Sequence, residues 1–154
     1  MKNHPIFKAL NKEEYERVLE YFIYKKYKKD EFIVKEGEYS DMAFILSKGE
    51  VSIIKETIYK DDYIITDITA GGDEFFGEVN LIDRGLVTST IKAKTDCEIL
   101  QIDHNSFVNL LDEKPTIAIK LLWVITYDIT KHLRKADSDV VTLFNAFVEV
   151  VEND

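Results

Sequence analysis

The chain has 154 residues, 45% of them hydrophobic and 32% charged, a composition that fits one folded domain and leaves no segment biased toward disorder. A formal net charge of −9 opposes association with phosphate backbones and anionic lipid surfaces, so DNA is not an expected partner. A single cysteine, Cys97, excludes an intramolecular disulfide. The start MKNHPIFKALNKEE has no apolar core of the kind a secretory signal needs, and no apolar run nears the ~20 residues of a membrane span. Membrane insertion is therefore not expected, and the expected location is the cytoplasm.

Asn11 and Glu14 have the spacing of a capping box, and Tyr15, Val18, Leu19, Phe22 and Ile23 recur at helical spacing, predicting a short amphipathic helix. The basic run YKKYKKD, Tyr24 to Asp30, is expected at a solvated turn or strand edge. From about Asp30 to Asp103, short runs of Ile, Val, Phe and Thr are punctuated by Gly37, Gly49, Gly71-Gly72, Gly77 and Gly85, which predicts antiparallel strands in a small sandwich, roll or barrel. Within it, MAFILSKGEVSIIK reads as a hairpin joined at Lys48-Gly49, and Asp61-Asp62 as the polar turn before IITDIT.

Helical signals return at Asn105-Ser106, which can cap FVNLLDE. Pro115 suits the first turn of a longer helix carrying Ile117, Leu121, Val124, Ile125, Ile129 and Leu133. Asp137-Ser138 is a point at which that helix is expected to break or re-cap. Beyond it, Val140, Leu143, Phe144, Phe147, Val150 and Val151 share one stripe almost without charge, a face that calls for a partner. The expected organisation is helix, roll of strands, then helices: mainly β with flanking helices (α+β), residues 1–136 forming the roll and its helices. Residues 137–154 are expected to form a C-terminal apolar helix, either of the same domain or a dimer contact.

Little here points to catalysis. His4, His104 and His132 are scattered, with no ligand spacing between them, so a metal-dependent enzyme is not expected. Cys97 sits in a strand pattern as a small buried hydrophobe. The pairs Asp61-Asp62, Asp73-Glu74 and Asp137/Asp139 are explained by capping and solubility. GDEFFGE, residues 72–78, carries more information. Its glycines bracket a tight turn that lets backbone N–H groups approach a ligand, and Glu78 can accept a bond from a sugar hydroxyl. A glycine bulge followed by a surface glutamate explains the same spacing.

FFGEVNLIDRGLVTSTIKAKTDCEILQIDHNSF, from Phe75, resembles the phosphate-binding cassette of cyclic nucleotide-binding domains, as in bacterial catabolite-activator-type regulators, kinase regulatory subunits and cyclic-nucleotide-gated channels. DEFIVKEGEYSDMAFILSKGEVSII is similar to the first strands of that family, and the resemblance covers nearly all of residues 1–136. It implies an antiparallel β-roll, or jelly roll, with a short N-terminal helix and long C-terminal helices. It also implies that Phe76, Gly77 and Glu78 are the family's Phe-Gly-Glu, whose Glu holds the ribose 2′-hydroxyl. About nine positions later the family has an Arg that pairs with the cyclic phosphate, followed by small residues. Anchoring on IKAKT puts Val87 at the Arg position and Thr88 and Ser89 at the small ones.

A charge-assisted bond of that kind contributes about 1.5–3 kcal/mol, so the resemblance with Val87 in place of Arg implies weak or lost cyclic AMP and cyclic GMP binding. Arg84, three residues earlier, substitutes only if its loop folds back. Lys92 and Lys94 are expected in solvent, on the strand face opposite Ile91 and Ala93. In the catabolite-activator type a long helix leads into a DNA-binding domain. This sequence ends at Asp154, and no output domain is expected. The residues demand no cofactor, and the implied ligand is a cyclic nucleotide or another small molecule. The expected function is a non-enzymatic signalling module, a homodimer through its C-terminal helices, with a separate effector protein as a further partner. The alternative is a protein-interaction or dimerisation scaffold that uses the C-terminal helix and has no small-molecule ligand.

Overall fold

The computed structural model describes residues 4–57, 59–71 and 75–152. Helices α1 (Pro5–Lys8) and α2 (Lys12–Leu19) lead into eight strands: β1 (Ile23–Tyr27), β2 (Phe32–Val34), β3 (Met42–Lys48), β4 (Glu50–Glu56), β5 (Asp62–Thr69), β6 (Phe75–Phe76), β7 (Thr90–Ala93) and β8 (Cys97–Asp103). Helix α3 (Glu78–Asp83) interrupts them, and α4 (His104–Glu113) and α5 (Pro115–Glu152) follow. The strands form two antiparallel sheets, ordered β1-β8-β3-β6 and β2-β7-β4-β5. This is the expected β-roll with flanking helices.

The β8-β3-β6 part of the first sheet is buried on both faces. Along β3, Ala43 and Ile45 join a core with helix residues such as Phe7, Val18, Leu110 and Leu121, while Phe44 and Leu46 point into a second core shared with Val51, Ile68 and Ile91 of the other sheet. Strand β8 divides its residues the same way, Leu100 and Ile102 against Ile99, and the two residues of β6 do so too, Phe75 against Phe76. A strand wetted on one face would alternate apolar and polar residues. MAFIL is continuous because neither face meets water.

Helix α2 carries the expected capping box, with Asn11 Oδ1 accepting from the Glu14 amide and Glu14 Oε2 from the Asn11 amide, both at 2.9 Å. Glu14 also accepts from Lys120 Nζ of α5 at 2.7 Å, so the cap clamps the two ends of the fold together. The apolar period ends sooner than it reads: α2 stops at Leu19, and Ile23 is an exposed residue of β1. The basic run forms β1 and the turn after it, at the edge of its sheet as expected.

Three local expectations need correction. β3 and β4 are not hairpin partners. The chain crosses from one sheet to the other at Gly49, which has φ of 93° and lies so close to the 95–97 turn that an added Cβ would stand 2.5 Å from the Asp96 carbonyl oxygen. Second, α4 is capped by Asp103 rather than by Asn105-Ser106. The Asp103 carboxylate accepts from the Ser106 amide at 2.8 Å and from its hydroxyl at 2.9 Å. Third, α5 runs without interruption through Asp137-Ser138, 38 residues in all. Its first part packs Ile117, Leu121 and Ile125 into the core, His132 still reaches the roll, and beyond Lys135 the helix leaves it.

The Ser106 amide holds the Asp103 carboxyl below the usual carboxylate range. A depressed folded-state value stabilises the fold above the ordinary aspartate range of ~4, and that contribution is lost as pH falls through the folded value. Asp103→Ala is expected to cost about 1 kcal/mol at pH 7, Asp103→Asn much less, and the alanine deficit should shrink as the medium is acidified below pH ~4. Urea unfolding at pH 7 and pH 3 checks both.

Candidate functional site

The mouth of the roll holds a cavity of about 180 Å³ between the two sheets, α3 and α5. Its walls include Met42 and Phe44 of β3, Ile53 of β4 and Ile91 of β7. Phe76, Gly77, Glu78, Val87, Thr88 and Ser89, the site residues named from the sequence, line it together. Arg84 does not. It is an exposed residue in the left-handed conformation at the C-cap of α3, and it borders a separate surface groove with Tyr39, Ser40 and Asp41. Gly72, Asp73 and Glu74, part of the same sequence stretch, lie outside the described residues.

Gly77 sets the geometry. Its φ of 80° turns the chain from β6 into α3, and an added Cβ would stand 2.5 Å from the Met42 carbonyl oxygen and 3.2 Å from Ala43 Cα. Both obstacles are backbone, so only glycine lets β6 and β3 approach so closely. The next residue, Glu78, is 6% exposed, a carboxylate largely withdrawn from water. A surface glutamate after a glycine bulge is thereby excluded. Its Oε1 lies 3.0 Å from His132 Nδ1 of α5, and the imidazole N–H donates, since an ionised carboxylate only accepts.

His132 is the site residue that the sequence reading missed. A signal was available: Leu121, Ile125, Asp128 and His132 follow one another at helical spacing, so the buried stripe of α5 ends in a histidine facing the roll.

Among the described residues the opposite wall carries no cation. Val87 is buried, and its backbone pairs with the Gly37 amide and the Glu38 carbonyl, both at 2.8 Å, placing an isopropyl group in the cavity wall. Thr88 is exposed at the rim and Ser89 half-buried. The Thr88 carbonyl accepts from Lys55 Nζ at 2.5 Å, and that ammonium also pairs with Glu36 at 3.0 Å. Glu78 and His132 are the ionisable side chains among the described residues that line the cavity. Lys92 and Lys94 point away from the core, to Asp30 at 3.2 Å and to Asp67 at 2.7 Å. Cys97 is buried, as its strand pattern predicted.

A pocket built on a Phe-Gly-Glu turn at the mouth of a β-roll, closed by a helix, is the arrangement of a cyclic nucleotide-binding domain. The chain belongs to that family, whose model matches residues 24–114. It is 29% identical over 126 residues to the cAMP-activated global transcriptional regulator CRP of Pasteurella multocida, covering 81% of this chain and 56% of that protein. To the Cyclic AMP receptor protein of Thermus thermophilus it is 25% identical over 140 residues, covering 91% and 62%. The crystal structure of the Thermus thermophilus Catabolite Activator Protein superposes with a TM-score of 0.78 at 24% identity, over 90% of this chain and 62% of the other. The chain thus spans a little over half the length of these relatives, which are regulators.

Gly77→Ala is expected to destabilise the fold by more than about 1 kcal/mol, because a Cβ here meets both an unfavourable φ and fixed backbone. The urea midpoint checks it. An alanine variant as stable as the parent would mean that β6 and β3 are not in such close approach.

Proposed function

We propose that this chain is the sensing part of a non-enzymatic regulatory module, that the cavity against Glu78 receives a small ligand, and that its affinity for cyclic AMP and cyclic GMP is weak or lost. The observation that carries this reading is the pairing of a buried carboxylate, Glu78, with a buried valine, Val87, across one cavity. The first suits a sugar hydroxyl. The second gives a cyclic phosphate no charge partner, which forgoes about 1.5–3 kcal/mol. Arg84, bordering a different groove, supports the view that no loop rescue occurs.

Calorimetric titration with cyclic AMP and cyclic GMP is expected to show no sub-micromolar binding. Val87→Arg, which returns a guanidinium to the wall facing Glu78, is expected to raise affinity at least about tenfold. Tight binding by the wild type, or no gain in the variant, counts against the reading.

A second reading, a dimerisation scaffold, is favoured by the outer part of α5. Val140, Leu143, Phe144, Phe147, Val150 and Val151 are each 57–70% exposed, an unbroken apolar face on a helix that has left its own roll. Burying several such side chains at about 1.5–3 kcal/mol each offsets the cost of association, and two-fold pairing of the segment 137–154 is the simplest cover. The two readings are compatible, since a paired helix that also closes the cavity could carry a signal to a separate effector protein.

A net charge of −9 supports a chain that does not itself contact DNA, and the bacterial regulators it resembles support a cytoplasmic location. No helix among the described residues is long and apolar enough to cross a membrane. Light scattering is expected to show a wild-type dimer and a soluble monomer for the Phe144→Asp, Phe147→Asp double variant. A wild type that stays monomeric across micromolar concentrations removes the dimer.

A further inference from the structure

We infer that the Glu78 cavity and a larger one beside it form a single site for an amphipathic anion: a small molecule with an apolar body and one carboxylate, sulfonate or phosphate group, whose charge is taken by α5. The inference rests on the reading that the Glu78 cavity receives a ligand, and it names the class of ligand.

Size is the first argument. Small-molecule sites enclose roughly 300–1,000 Å³. At about 180 Å³ the Glu78 cavity falls short, whereas its neighbour, at about 480 Å³, lies within that range. The two share walls, since Ile53, Phe76 and His132 line both. A ligand seated against Phe76 would therefore touch residues of both.

Chemistry is the second. The floor of the larger cavity is apolar, formed by Ile65 and Ile68 of β5 with Phe75 and Phe76 of β6. Its polar rim comes mostly from α5: Asp128, Lys131, His132 and Lys135, brought to one side by three- and four-residue spacing. Lys131 is engaged by Asp128 at 2.6 Å. Lys135 and His132 remain as the groups that face an incoming anion, with Glu78 holding the far side of the imidazole. The sheet side presents Val87 where charge recognition would otherwise sit. An apolar floor under a rim that offers the Lys135 ammonium and the His132 ring is complementary to a molecule with an apolar body and an anionic end.

The test uses two fluorescent probes that differ in charge: 8-anilinonaphthalene-1-sulfonate and its uncharged analogue N-phenyl-1-naphthylamine. The sulfonate is expected to bind the full chain at a single site and more tightly than the amine. The His132→Gln, Lys135→Gln double variant should weaken the sulfonate roughly tenfold while leaving the amine within about twofold. Lys135→Gln alone, at an exposed position, should give part of the loss, and circular dichroism checks that each variant is folded. Ile65→Asp should weaken both probes. Equal affinity for the two probes, as expected if they coat the exposed stripe of α5, overturns the inference, and so does a sulfonate affinity indifferent to the double change. Cyclic AMP calorimetry on the same samples reads the nucleotide question separately. A null there leaves the inference standing when the probe results hold, and nucleotide binding does not rescue it when they fail.

Discussion

A carboxylate taken out of water must be given a partner, and at Glu78 that partner comes from an element 54 residues away. That one hydrogen bond ties the glycine turn that holds Glu78 inward to the position of α5. Gly77 enforces the inward placement by closing β6 onto the Met42 carbonyl, and the buried stripe of α5 enforces the other half. A ligand group that takes the Glu78 oxygen competes with the helix for it.

The cavity exists because the two sheets share a core that does not fill their mouth. Phe44, Phe76 and Ile91 close the interior, and residues 87–89 line the opening, with the Val87 backbone tied to Gly37 and Glu38. What a site of this shape recognises is then decided by few side chains. Here a carboxylate lies at one end of the cavity and a valine in the opposing wall, while Lys55 of β4 is held outside at the Thr88 carbonyl and Lys131 and Lys135 sit on the helix.

Helix α5 serves two environments with one continuous backbone. Up to Ile129 one stripe of it, with Ile117, Leu121 and Ile125, is buried in the domain core, while Ile119, Trp123 and Tyr127 face water. Beyond that point an equally apolar stripe faces water, a state that isolated soluble chains rarely sustain over so long a surface. The helix thus runs unbroken from the wall of the cavity to the exposed apolar stripe.

The sequence alone was sufficient wherever the determining contacts are short in range or recur in a known pattern. Asn11 and Glu14 make their capping box within one turn, Pro115 opens its helix, and the Phe-Gly-Glu turn with the residues up to Ser89 does line one cavity. Tertiary structure decided the rest. Whether β3 and β4 pair or part at Gly49 depends on which sheet each strand completes. Asp103 caps α4 because β8 delivers it there, and Asp137-Ser138 does not break α5 because two polar residues on a solvated face cost a long helix little. Arg84 and Val87 are three residues apart yet border different cavities, because the left-handed turn at Arg84 separates them. The meeting of Glu78 with His132 left only a faint trace in the helical spacing of α5, since propensity and periodicity act over a few residues, whereas the partner of a buried charge is chosen by how whole elements pack.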